Sequence, residues 1–243
     1  MFKFGIIIAV EFDELSKIYG IDKIEKKGCY KVFQIEEGNN QLIFIASGPG
    51  EIQAAAATQY MIDNYEPDML INFGLAGGLT GTMKVKDMCI VKSVVHTDYN
   101  VSLYEKSEED NLSKSNGGIK PGQYPGLKGE KILLDQKLAE RFYIELEKIS
   151  EAGTASMVSC ASQDRIVISE EKRQGLGKAW ECQICDMELA GIGLVALKNK
   201  VPLVSVKVVS DTVGDGYDSL EEWEGKFLQN FKAFAALLRV CEN

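Results

Sequence analysis

Four stretches of this chain are apolar almost without interruption over the length of a strand. They are "FGIIIAV" (4–10), "DMLINFG" (68–74), "MCIVKSVVH" (88–96) and "VPLVSVKVVS" (201–210). Such runs suit strands covered on both faces, which occur mainly in sheets packed between helices. The intervening segments have helical spacing. Glu11–Tyr19 is one; "EIQAAAATQYMIDNY" is opened by "GPG" and ends before Pro67. "ILLDQKLAERFYIELEKIS", "AGIGLVALKNK" and the C-terminal "LEEWEGKFLQNFKAFAALLRVC" are the others. "TASMVSCAS" and "QICDMEL" read as further strands with a short helix starting near Ser169 between them. "CYKVFQIEEGNNQLIFIASG" reads as a hairpin turning at Gly-Asn-Asn. This alternation predicts an α/β fold: a single domain over 1–243 with a central twisted mixed β-sheet flanked by helices. A length of 243 residues suits one large domain, and no repeat or linker divides it.

In sheets of this kind ligands bind at the carboxyl ends of the strands. Glu11, Asp13 and Glu14 follow the first apolar run, and the second leads into "GLAGGL", where Ala76 and Gly77 bring backbone close to a small ligand. Thr97, Asp98 and Asn100 follow the third; Gln163, Asp164 and Arg165 follow "SCAS". Asp186 and Glu188 stand where "QICDMEL" turns into a helix, and Ser210 and Asp211 close the last strand. Burying carboxylates is costly unless they are paired or neutralised, so acids gathered on one sheet edge form the pattern of a site.

A net charge of -9 argues against nucleic acid or an anionic membrane as the main partner, since both need a basic face. No apolar run has the length of a bilayer span. The apolar N-terminus meets acids at once and lacks a small-residue cleavage site, so it reads as a buried strand, and the expected compartment is cytoplasmic. The six cysteines are scattered and read as thiols. Cys182 and Cys185 form a CxxC without a second pair, and the sole histidine, His96, is distant and reads as a strand-end residue, so packing is expected and no metal site. Neither GxGxxG with a downstream ribose acid nor GxxxxGK[ST] is present, and no cofactor is expected. Tyr104–Gly129 is charged, Ser/Asn/Gly-rich and reads as a surface excursion.

The motifs "IIIAVEFDEL", "SGPGEIQAAAA", "INFGLAGGL", "VVHTDYNV", "ASQDRIV", "CDMELAGIGLVA" and "VPLVSVKVVSD" resemble, in order and spacing, the purine nucleoside phosphorylase/nucleosidase superfamily. They look most like its 5′-methylthioadenosine/S-adenosylhomocysteine nucleosidases. The similarity covers nearly the whole chain, and 105–120 reads as an insertion. The resemblance implies a nucleoside phosphorylase-like fold and hydrolysis of the N-glycosidic bond of adenosine-type nucleosides. It also implies water as co-substrate, a homodimer and a place in methionine salvage.

By the same resemblance Asp211 donates a proton toward N7 of the leaving purine, and Glu188 binds the ribose 2′- and 3′-hydroxyls while offsetting positive charge on the sugar. Met187 packs under the sugar. Asp13 matches the acid that orients or deprotonates the water, one methylene shorter than the usual glutamate, with Glu14 beside it. Ile166, followed by Val167, replaces the usual aromatic contact to the base; Ala76, Gly77 and Ser210 complete the binding residues. Leu75 replaces a hydroxyl and Lys207 an arginine, which removes bidentate recognition of an oxyanion and favours hydrolysis over phosphorolysis. A phosphate-dependent phosphorylase and a nucleoside-binding protein with weak turnover remain the alternatives. Read without the resemblance, Glu188 suits a helix N-terminus, Asp211 a turn, and Asp13 an ordinary first helical turn.

Overall fold

The computed structural model describes residues 1–100, 120–149, 155–212 and 225–240. The first apolar run forms β1 (Phe2–Ile8), followed by the short helix α1 (Phe12–Ile18). A small strand β2 (Glu25–Lys27) then leads to the hairpin of β3 (Tyr30–Glu37) and β4 (Asn40–Ala46). It turns as the sequence suggests, with Gly38 at φ 59°, a left-handed conformation that glycine adopts without strain.

Helix α2 (Glu51–Tyr65) ends before Pro67, with Glu66 in the left-handed cap position. Strands β5 (Met69–Gly78) and β6 (Met88–His96) are the second and third apolar runs. The two-residue β7 (Ile132–Leu133) precedes α3 (Gln136–Ile149). Then come β8 (Ala155–Ser162), α4 (Glu170–Trp180), β9 (Ile184–Asp186), α5 (Leu189–Asn199) and β10 (Leu203–Asp211). The side chain of Ser169 caps α4 by accepting from the Lys172 amide. The described part of the C-terminal helix, α6 (Leu228–Val240), is shorter than the amphipathic pattern suggested; the start of that pattern and the proposed insertion at 105–120 fall largely outside the described residues.

Among the described residues, all ten strands belong to one mixed sheet. Strand β1 pairs in parallel with β4 on one side and β5 on the other. Strand β5 also pairs in parallel with β10, and at Gly77–Gly78 it turns antiparallel onto β9. Because β10 pairs with β6, β6 with β8 and β8 with β9, these five strands close into a ring. Closure removes two sheet edges.

Side chains alternate between the two faces as the pleat requires. Phe4, Ile6 and Ile8 of β1 join Ile71, Phe73, Val206 and Val208 in a core covered by α1, α3 and α6. Ile7 and Leu70 point the other way, into a core shared with α2 and α5. A Cβ at Gly5 would stand 2.8 Å from Cγ of Met61, so α2 can lie against β1 only because that position carries no side chain. No helix among the described residues is long and apolar enough to cross a membrane.

Candidate active site

The carboxyl ends of β1, β5, β9 and β10 meet at a cavity of about 290 Å³. The loop after β8, one side chain of α4 and Pro49, before α2, complete its lining. This volume suits a small organic ligand. Strand β10 brings Asp211 in through an irregularity: its register on β5 shifts between Val209 and Asp211, and such a bulge re-aims a side chain. Asp211 thereby stands buried beside Gly77. Its Oδ2 accepts from Nη2 of Arg173, and its Oδ1 from the hydroxyl of Ser210.

A second group of acids surrounds Glu188, the residue before α5. Its Oε1 accepts from the Gly50 amide at 3.0 Å, tying the start of α2 to the start of α5. Desolvation, followed by the neighbouring charge of Asp186, pushes the Glu188 carboxyl up to about 7. Asp186 is itself buried and paired with Lys207 at 2.7 Å. It also accepts from the Ser162 hydroxyl and from the Leu189 amide at 3.1 Å. Burial works against the charge of Lys207, but Asp186 and Glu188 outweigh it and raise the ammonium above its ordinary value.

Glu11 is the fourth acid on the cavity wall, after Asp211, Glu188 and Asp186. It immediately precedes α1, and its Oε1 accepts from the Leu75 amide at 2.8 Å while Oε2 accepts from the Val10 amide at 3.1 Å. Desolvation raises its carboxyl above the ordinary range, and the amide of Leu75 and the charge of Lys207 pull it back only in part. Glu11 Oε1 and Nζ of Lys207 lie 3.3 and 3.6 Å from where a Cβ on Gly74 would stand, so this glycine within β5 admits both.

Of the residues singled out in the sequence, Met187, Glu188, Ile166, Val167, Ala76, Gly77, Ser210 and Asp211 all line this cavity. Lys207 does not line it; it is buried behind the acids, held on Asp186. Asp13, expected to orient or deprotonate the water, lies outside it. It is exposed on α1, pairs with Lys31 at 3.0 Å and borders a separate depression. Glu14 is paired with Lys17. The reason is helical phase: α1 buries Phe12, Leu15 and Ser16, which turns Asp13 outward and leaves Glu11 as the acid facing in.

Two buried groups carried no sequence signal. Arg173 sits in the polar stretch "SEEKRQG", where a guanidinium looks solvated, yet it is 2 % exposed. Glu51 opens α2, where an acid is commonplace, but it is buried with Oε2 accepting from the Gly191 amide. The CxxC cysteines, Cys182 and Cys185, are buried free thiols, and His96 ends β6 with Nδ1 2.6 Å from the Tyr124 hydroxyl. Tyr124 also stacks on Tyr99, so this part of the excursion packs onto the body.

A family model described as the phosphorylase superfamily matches residues 3–241. The 5′-methylthioadenosine/S-adenosylhomocysteine nucleosidase of Buchnera aphidicola is 30% identical over 212 residues, 86% of this chain and 84% of that protein. The enzyme of the same name from Tolumonas auensis is 27% identical, covering 87% of each chain. Among solved structures, the nucleosidase of that name from Neisseria meningitidis, in complex with methylthio-immucillin-A, superposes with a TM-score of 0.79 over 99% of this chain and 100% of that one. Its identity is 23%, so it speaks for the fold.

Proposed function

The chain belongs to the phosphorylase superfamily, among its purine nucleosidases, and from that premise we propose how its site works and on what. The substrate is a 5′-substituted adenosine such as 5′-methylthioadenosine or S-adenosylhomocysteine, in line with the names its relatives carry. The purine lies toward Asp211 and the ribose toward Glu188. The bond between C1′ and N9 breaks with its electron pair leaving on the base, and Asp211 hands a proton to N7. Water adds to C1′, giving up a proton to Glu11. Glu188 accepts hydrogen bonds from the 2′- and 3′-hydroxyls, and its charge, with that of Glu11, favours the oxocarbenium-like sugar. Met187 lies against the ribose and Ile166 and Val167 against the base.

The observation that carries this reading is that Asp211, Glu188 and Glu11 line one cavity of nucleoside size. It also favours water over phosphate. Glu11, Asp186 and Glu188 cluster around Lys207, whose ammonium is already held by Asp186, so a phosphate dianion would meet carboxylates. The wider setting in this proposal is a single-domain homodimer in the cytoplasm serving methionine salvage.

Incubating the protein with 5′-methylthioadenosine, with and without phosphate, tests it. The expected result is adenine release at the same rate in both, with 5-methylthioribose as the sugar. Strict phosphate dependence and a sugar 1-phosphate would replace hydrolysis by phosphorolysis. Tight binding without release would mark a nucleoside-binding protein.

A further inference from the structure

Arg173 is a buried guanidinium in the cavity wall that the reaction above does not use. Its Nε donates to the Val167 carbonyl at 2.7 Å, and its Nη2 donates to Asp211. Nη1 is buried and has no hydrogen-bond partner. Native structures leave few buried donors unpaired, and one on a ligand cavity marks a place where a ligand acceptor fits. Nη1 lies close to Gly77, another lining residue. A Cβ there would stand 3.7 Å from Nη1 and 3.7 Å from Oδ2 of Asp211, so the unpaired donor and the carboxylate stand side by side.

A purine presents N7 and its 6-substituent side by side on one edge. In adenine the 6-position is an amino donor; in hypoxanthine or guanine it is an oxygen acceptor. With N7 at Asp211 and the six-membered ring turned toward Arg173, the 6-substituent would fall next to Nη1. An amino group there meets another donor, and it finds one oxygen of Asp211 already occupied by Nη2. An oxo group accepts from Nη1, giving that nitrogen the partner it otherwise lacks. We propose that Arg173 reads the 6-position of the base and that this site hydrolyses 6-oxopurine nucleosides as well as adenosine-type ones. The proposal rests on the purine nucleosidase reading and adds to its substrate class.

The test uses matched pairs: 5′-methylthioinosine with 5′-methylthioadenosine, and inosine with adenosine, measuring hypoxanthine and adenine release as kcat/KM. The parent protein is expected to release hypoxanthine with a kcat/KM within about tenfold of that for adenine, given what one such contact discriminates. In Arg173→Leu the inosine-to-adenosine ratio should fall about 10- to 100-fold. In Arg173→Gln, whose amide can rotate to donate or accept, it should fall less. The ratio cancels the concentration of folded enzyme, so a loss of stability does not mimic the effect. Adenine release without hypoxanthine release, or a ratio unchanged in Arg173→Leu, overturns the proposal and leaves the nucleosidase reading standing. No base released from either pair overturns both.

Discussion

Glu11 and Asp13 are two residues apart, yet they occupy different physical environments. Glu11 is buried, accepts from two backbone amides and faces the cavity; Asp13 is exposed and paired with a surface lysine. A general base contributes about 10²–10⁴-fold to a rate. Glu11→Gln should therefore lower kcat by at least about 100-fold while the protein stays folded. Asp13→Asn should change it by less than about threefold, because exposed ion pairs contribute little. Steady-state rates for the two variants decide between them, and the opposite order would restore Asp13 to the reaction. The cluster of acids after the first strand was legible in the sequence. Which acid faces inward was not, because it depends on where α1 begins, and a shift of one residue turns a side chain through about 100°. Asp211 and Glu188 were singled out by the resemblance; read without it they suit a turn and a helix N-terminus. Arg173 offered nothing comparable: its burial depends on α4 packing against β8 and on Asp211 arriving at the end of β10, which no local pattern encodes.

Between elements, the tightest approach near the site is that of α2 and α5. A Cβ on Gly191 would come within 2.5 Å of the Glu51 carbonyl, so the glycine lets α5 sit directly on the first turn of α2. The Glu51 amide donates to Asp164 at 2.9 Å, linking the same turn to the loop after β8. The cost falls on the Glu51 side chain, whose Oε1 is buried without a partner. Desolvation first, and then the charge of Asp186, pushes its carboxyl up to about 8 from an ordinary 4.5.

The sign follows from proton binding. Between pH 4.5 and about 8 the unfolded chain loses this proton while the folded one keeps it, so the contribution to stability is complete below 4.5 and is lost as pH rises to about 8. Across that interval a rise of one in pH removes up to about 1.4 kcal/mol. Glu51→Gln removes the titration. Its melting temperature relative to the parent should rise between pH 5 and pH 8. A difference independent of pH would mean that Glu51 is already ionised in the fold. The helix itself, with its start after "GPG" and its end before Pro67, was readable from spacing and breakers. The fate of its first acid was not, since it depends on a helix 140 residues away in sequence.

Over the whole molecule, alternating buried strands and amphipathic helices were enough to anticipate a mixed sheet with helices on both faces. Closure of the sheet was not. It requires β5 to pair with β1 and β10 and then bend at Gly77–Gly78 onto β9, a choice made by the packing of five strands together. That closure sets Gly77 beside Cys185 and Asp211, and Glu188 two residues beyond the end of β9, so the ring brings these acids into one cavity, to which β1, paired on β5, adds Glu11. The proposed chemistry depends on how a nucleoside lies in that cavity. The decisive measurement is a crystal structure with a non-hydrolysable purine nucleoside bound. It should show the N7 edge of the base within hydrogen-bond reach of Asp211 and the 2′- and 3′-hydroxyls within reach of Glu188. A nucleoside bound in the reverse sense, or outside this cavity, would contradict it.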